Sequence, residues 1–306
     1  MAISAAARVN APIGKRALAL DGEVCGFPAA VTGGSIYGEF VTEKIGADHL
    51  ARKHISAVKY EEIGLEVGTD MSKPFYAWVT ESLQGKQVRK DGAIYVCDYN
   101  FVPRGSLTFQ RALVSEVSFP EADAASKDAG KLKVKLAPEI LRSSRNPPKE
   151  GSKLSPPKQQ SKKWLPGNFK LEIDKLDCNK VTKVSPPVAR LKIAETAVGE
   201  LRDYEREASH WDIGNLKVTL AASHADDWYK WHEEYVIEGQ CGDDRERNGS
   251  LVYFAPDFKA ELFRLKFSHL GIFRLHEDTG EAGSEKAHSI EVEMYCEEME
   301  LESHGG

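Results

Sequence analysis

The sequence predicts a mainly β fold with one helix per domain, arranged as two tandem antiparallel barrel or sandwich domains. Three observations carry that expectation. The first is an internal repeat. LALDGEVC (Leu18–Cys25) returns as LEIDKLDC (Leu171–Cys178), and FYAW (Phe75–Trp78) returns as WYKW (Trp228–Trp231), both at a shift of 153 positions. A period this long marks a duplicated domain rather than a solenoid unit, because each copy is large enough to bury its own core. The second is period-two alternation at Ile63, Leu65 and Val67, and again at Leu216, Val218 and Leu220, the signature of half-buried strands. The third is one aromatic-centred helical segment per copy among many short strands, which favours an antiparallel barrel or sandwich.

Element by element, each copy opens on a strand, Leu18–Leu20 and Phe169–Ile173. A longer segment with scattered glycine and mixed charge follows, at 32–54 and 189–210, and then the alternating strand. The helix of copy one is placed at Met71–Leu83, with Asp70 as N-cap and Pro74 in the first turn. Its counterpart runs from Ser223 or Asp226 to about Ile237. Phe75 and Trp78, like Trp228 and Trp231, are three apart and share a helix face, which reads as core packing. Asp91-Gly92 and Asn248-Gly249 are read as hairpin turns. Strands follow at Ala93–Cys97, Leu107–Leu113 and Leu132–Ala137, with equivalents at Leu251–Phe254, Ala260–Phe267 and Ile290–Tyr295. The domain boundaries are an arm at 1–16, a first barrel at 17–141, a linker at 142–167, a second barrel at 168–302 and a tail at 303–306.

The linker follows from composition. RSSRNPPKEGSKLSPPKQQSKKWLPG has two proline pairs, several Ser and Lys and few apolar residues, so it extends rather than folds. Trp164 and Leu165 at its end are expected to dock on the second domain. The net charge of −6 conceals a division. Residues 1–141 carry 17 Lys and Arg against 17 Asp and Glu, residues 142–168 carry 7 against 1, and residues 169–306 carry 17 against 29. An acidic second half argues against a nucleic-acid binder, which shows a concentrated basic face. The five cysteines are odd in number and lack CxxC spacing, so small buried thiols in a reducing compartment are expected. No apolar run approaches the roughly 20 residues that cross a bilayer, and MAISAAARVN has no stretch resembling a secretory signal.

No catalytic, cofactor or metal site is expected. GxSxG, GxxxxGK[ST] and GxGxxG are missing, and His224 and His232 are eight apart without neighbours at zinc-ligand spacing. One pattern does point to an interaction. Lys131, Lys133 and Lys135 alternate with Leu132, Val134 and Leu136 in copy one, while Glu291 and Glu293 alternate with Ile290, Val292 and Met294 in copy two. Two solvated strand faces are one reading. The other is an interface in which copy one meets copy two, opposite charges pair and the domains alternate.

Each copy resembles the tail-tube protein family of contractile phage tails and related bacterial injection systems. The matching parts are the opening L-x-[LI]-D strand, the strand before the helix (ISAVKYEEIGLEV; HWDIGNLKVTL), the aromatic helix (PFYAWVTESLQGK; DDWYKWHEEYVIEG), the strand after it and the closing strand. The resemblance implies a small barrel with one flanking helix and a long loop that packs on neighbours in a stacked, hexameric ring. The head-to-tail fusion departs from the family pattern. It implies that three chains form a pseudo-hexameric ring, as tube segment or as adaptor between tube and trimeric spike. Implied partners are further copies of the chain and other tube, sheath, baseplate or spike proteins. The implied location is the cytoplasm during assembly and then the particle. The alternative is a tandem β-barrel binding module for a carbohydrate or protein. An enzyme is not expected.

Overall fold

The computed structural model of the chain describes residues 14–44, 50–145, 154–155, 164–197, 203–278 and 288–303. Most of the expected arm, linker and tail lies outside the described residues. The first half comprises β1 (Lys15–Leu20), β2 (Glu23–Gly26), β3 (Ala30–Gly33), β4 (Ile36–Glu43), β5 (Arg52–Tyr60), β6 (Ile63–Val67), α1 (Lys73–Leu83), β7 (Lys90–Cys97), β8 (Pro103–Ser118), β9 (Ala122–Asp123), β10 (Leu132–Ala137) and β11 (Ile140–Ser144). The second comprises β12 (Phe169–Ile173), β13 (Val181–Ser185), β14 (Ala189–Ala197), β15 (Tyr204–Ile213), β16 (Leu216–Ala221), α2 (Asp226–His232), β17 (Arg247–Phe254), β18 (Glu261–Asp278) and β19 (Ser289–Ser303). The fold is mainly β and antiparallel throughout, with one helix in each half.

The two halves have the same strand order. In the first, neighbours run β1-β7-β8-β10-β6-β3, and in the second β12-β17-β18-β19-β16-β13. The long segment that follows the third strand of the first half and the second strand of the second half is in both cases a two-stranded hairpin, β4–β5 and β14–β15. The alternating strands fall where the pattern places them: Ile63, Leu65 and Val67 are buried along β6, and Leu216, Val218 and Leu220 along β16. α1 packs against β19 of the second half as well as β8 and β2 of its own, and α2 packs against β18. Phe75 and Trp78 are buried on α1, and Trp228 and Trp231 on α2. Burying a large apolar side chain stabilises by roughly 1.5–3 kcal/mol, so these four aromatics decide which helix face turns inward.

Two local expectations are corrected. Ser72, not Asp70, stands at the N-cap of α1, because Pro74 fixes the first turn and the cap is the extended residue before Lys73. The second helical segment starts at Asp226 and ends at Ile237 as expected, its last part, Glu233–Ile237, being a π-helical turn. Asp91-Gly92 and Asn248-Gly249 are not turns but lie inside β7 and β17. Glycine is needed there for close approach: a Cβ at Gly92 would collide with the Ala19 carbonyl and the Phe109 ring, and one at Gly249 would lie 2.7 Å from the Glu172 carbonyl oxygen. The side chains before these glycines clamp a bulge in the next strand. Asp91 accepts from the Arg111 backbone N–H at 2.7 Å, and Asn248 accepts from that of His269 at 3.3 Å. Arg111 and His269 both have positive φ, 51° and 56°. A bulge of this kind bends the strand. Bent at Arg111, β8 pairs with β7 and β11 on its first part and with β10 on its last.

The expected linker also begins later than its composition suggests. Arg142, Ser143 and Ser144 form ladder pairs with Thr108, Leu107 and Ser106. At its far end Trp164 is buried among Phe119, Tyr253 and Phe263, with ring centroids 6.4, 5.3 and 4.8 Å away. Phe119 belongs to the first half, so Trp164 docks on both halves. All five cysteines are free; Cys25 is buried and Cys178 half-buried, and burial pushes the Cys178 thiol up to about 11.

Candidate assembly interface

Hairpins β4–β5 and β14–β15 occupy the same place in each half but have different surroundings. β14–β15 lies against the first half. Its β14 continues the first-half sheet, with Ala189 opposite Val117 and Arg190 opposite Glu116 on the edge of β8. The Arg190 Nε donates to Glu116 at 3.1 Å. Further along, the Trp211 indole N–H donates to the Ser82 carbonyl at the end of α1 (2.8 Å), and the Gln87 amide donates to the Ala208 carbonyl (3.0 Å). A second crossing joins β9 to β13, with Ala122 opposite Val184 and Asp123 opposite Lys183.

At the centre of this junction is Glu139, a carboxylate only 5 % exposed. A buried carboxylate needs charge partners and hydrogen bonds. It pairs with Arg89 and, at 2.7 Å, with Arg111, and it accepts the Arg206 backbone N–H at 3.2 Å. Arg89 also donates to the Arg206 carbonyl at 2.6 Å. The Arg206 guanidinium turns back to the Tyr60 carbonyl and to Glu195, each at 3.0 Å. Lys59 donates to Glu195 at 2.6 Å, which holds the Glu195 carboxyl below its ordinary range and raises Lys59. Tyr60 donates to Asp203 at 2.5 Å and accepts from Arg142 at 2.7 Å; desolvation, then the Asp203 bond, raises its phenol. None of these crossing pairs is visible in sequence spacing, because each joins residues about 60 to 150 positions apart. The shared shift of the repeat was the one signal that could have aligned them.

Among the described residues the first hairpin is covered only at the end of β5, where Ala57 and Tyr60 are buried. Every residue of β4 is exposed, including Ile36 (43 %), Tyr37 (54 %) and Phe40 (61 %), and Ile55 on β5 is 62 % exposed. An apolar strip of this kind on a sheet edge marks an interaction surface.

The expected lysine and glutamate rows are not brought together within the chain. Lys131 and Lys133 both reach Glu66, at 3.0 and 4.0 Å, and Lys135 reaches Glu116 at 3.1 Å. Glu293 is buried and pairs with Lys217 (3.2 Å) and Arg274 (2.9 Å). Glu291 is exposed on β19, opposite Thr219 and His276. One grouping escaped the sequence reading. Glu246, His269 and Glu297, on or beside three different strands, bring their ligand atoms within 4.8 Å of one another. His269 meets Glu246 at 2.7 Å, which raises the imidazole, and Tyr295 donates to the other Glu246 oxygen at 2.6 Å. Two carboxylates and an imidazole could hold a divalent cation.

Residues 20–142 match the family described as T4-like virus tail tube protein gp19. Over those residues the chain is similar to the tail-tube family. A comparison with curated proteins returned no match. Among solved structures, a chain of the PVC extracellular contractile injection system sheath/tube terminator in the extended state is 19% identical, over 45% of this chain and 99% of that one, with a TM-score of 0.39. A chain of the PVC sheath-tube complex is 17% identical over 45% and 95%, TM-score 0.39, and Hcp1 from Flavobacterium johnsoniae is 13% identical over 44% and 95%, TM-score 0.26. Among the described residues no helix is long and apolar enough to cross a membrane.

Proposed function

We propose that both halves are tail-tube domains and that three chains close into a ring of six domains, as a tube segment or as the adaptor between a sixfold tube and a threefold spike. The observation that carries this reading is the contrast between the hairpins. β14–β15 is seated on the neighbouring half, whereas β4–β5 presents an exposed apolar strip. Two halves of like strand order, joined by a one-way contact, leave one donor and one acceptor surface per chain. A head-to-tail contact of this type closes into a ring when the rotation per unit divides a full turn. The rows Lys131–Lys133–Lys135 and Glu291–Glu293 are proposed as further contacts between chains.

Negative-stain microscopy with light scattering on the purified chain tests this. Rings of three-chain mass with six lobes are expected; a chain that stays monomeric at high concentration overturns the reading. Lys133→Glu with Lys135→Glu separates the row proposal from local pairing. Exposed ion pairs contribute only about 0–1 kcal/mol each, so a small stability change with a large loss of rings is expected, and intact rings would remove the row from the interface.

A further inference from the structure

The seat of β14–β15 on the first half has an uncovered counterpart on the second half. Strand order and register carry one onto the other. Val134 opposite Val117 corresponds to Val292 opposite Leu275, so Glu116 and Val117 of β8 correspond to Arg274 and Leu275 of β18. In the first half that edge of β8 is taken by β14. Among the described residues, β18 beyond Leu270 has a strand on one side only. The charged centre transposes as well. The same register places Glu246 where Arg89 stands, His269 at the bulge of Arg111 and Glu297 where Glu139 stands.

The hairpins transpose in step. Ile36 pairs with Tyr60 as Ala189 pairs with Ile213, so Lys53 stands where Arg206 stands and Tyr37 where Arg190 stands. The charges then match in two different ways. The first seat holds two arginines and one glutamate, and receives the segment Glu205-Arg206-Glu207. The second holds two glutamates and a histidine, with exposed Asp243, Asp244 and Glu298 nearby in sequence. The uncovered hairpin carries Arg52-Lys53-His54. Basic seat meets acid-flanked strand, and acidic seat meets basic strand.

Resting on the ring reading above, we propose that the Glu246–His269–Glu297 socket receives the Arg52–Lys53–His54 segment of a second copy, while β4 of that copy adds to the open edge of β18 with Ile36 and Tyr37 opposite Leu275 and Arg274. Adding a strand satisfies backbone groups on both edges, and the side chains set the register. The two seats are charge-coded, so β14–β15 and β4–β5 do not exchange places and the halves alternate.

The test uses the full chain with charge reversals: Lys53→Glu, Glu297→Lys and the two combined. Glu297 is exposed, so its replacement leaves the core intact, and thermal melting checks that each variant folds. Each single variant is expected to weaken association at least tenfold in sedimentation, and the combined variant to regain most of it, because the reversed hairpin meets a reversed socket. Singles that associate like the parent overturn the proposal while leaving the ring reading intact. Singles that weaken with no recovery in the combined variant also overturn it. Association unaffected by charge reversal but lost on adding a chelator, and restored by zinc, overturns it in favour of a metal centre. A parent chain that never associates removes the ring reading itself.

Discussion

Gly92 shows how a single residue serves two readings. Asp-Gly is a strong turn signal because glycine tolerates positive φ. Glycine is equally required where two backbones come too close for a Cβ, and Gly92 is such a place, wedged between the Ala19 carbonyl and the Phe109 ring. The dipeptide alone does not distinguish the two. Gly92→Ala is therefore expected to destabilise by roughly 1–3 kcal/mol through overpacking. This is checked as a lowered urea midpoint with an unchanged slope. The residues of the acidic socket were illegible for a different reason. Glu246, His269 and Glu297 are 23 and 28 positions apart, and only a bulge with His269 at φ 56° turns them to one point. By contrast, the helix aromatics Phe75, Trp78, Trp228 and Trp231 were legible, because three-residue spacing places them on one face before any tertiary contact forms.

At the scale of elements, β6 and β16 could be read from alternation because each has one buried face. The long hairpins could not. β4 is exposed along its whole length and β5 is buried only at Ala57 and Tyr60 near its end, so the apolar–polar period that marks a strand is lost and the segment reads as a loop of mixed charge. Its counterpart is held by groups whose ionisation sets a pH window. The Glu195 carboxyl is held below 4.5, chiefly by the Lys59 hydrogen bond. Its contribution is complete above 4.5 and is lost as pH falls through the lower folded value. Lys59 is raised above 10.5 by Glu195, so its contribution is complete below 10.5 and is lost as pH rises through the higher folded value. Amide exchange of β14–β15, corrected for intrinsic rates, is expected to stay slow between these limits and to quicken on acidification. In Glu195→Gln the acid-side change should shrink; an unchanged acid limb would show that Glu195 does not hold the hairpin.

At the scale of the whole molecule, the repeat announced two like halves, but it did not show that they share a core. Phe119 from the end of β8, Trp164, Tyr253 and Phe263 form one aromatic cluster, and Tyr76 of α1 joins it 5.6 Å from Phe263. The Tyr253 hydroxyl donates to the Pro120 carbonyl across the same boundary. Such contacts join residues far apart in sequence and leave no periodic trace. Trp164→Ala removes the central ring and is expected to cost about 3–5 kcal/mol. Calorimetry should show one transition moved to lower temperature for both halves together; a shift confined to one of two separate transitions would mean the halves unfold independently.

The seating of β14–β15 has a kinetic corollary. Donor and acceptor belong to one polypeptide, so that contact closes at an effective concentration set by the tether rather than by how much protein is present. In the ring proposed above, the surface that covers β4–β5 comes from another chain and has no such tether. In that ring, dilution would act on one kind of joint and spare the other, and the smallest unit that disassembly would release is the paired halves.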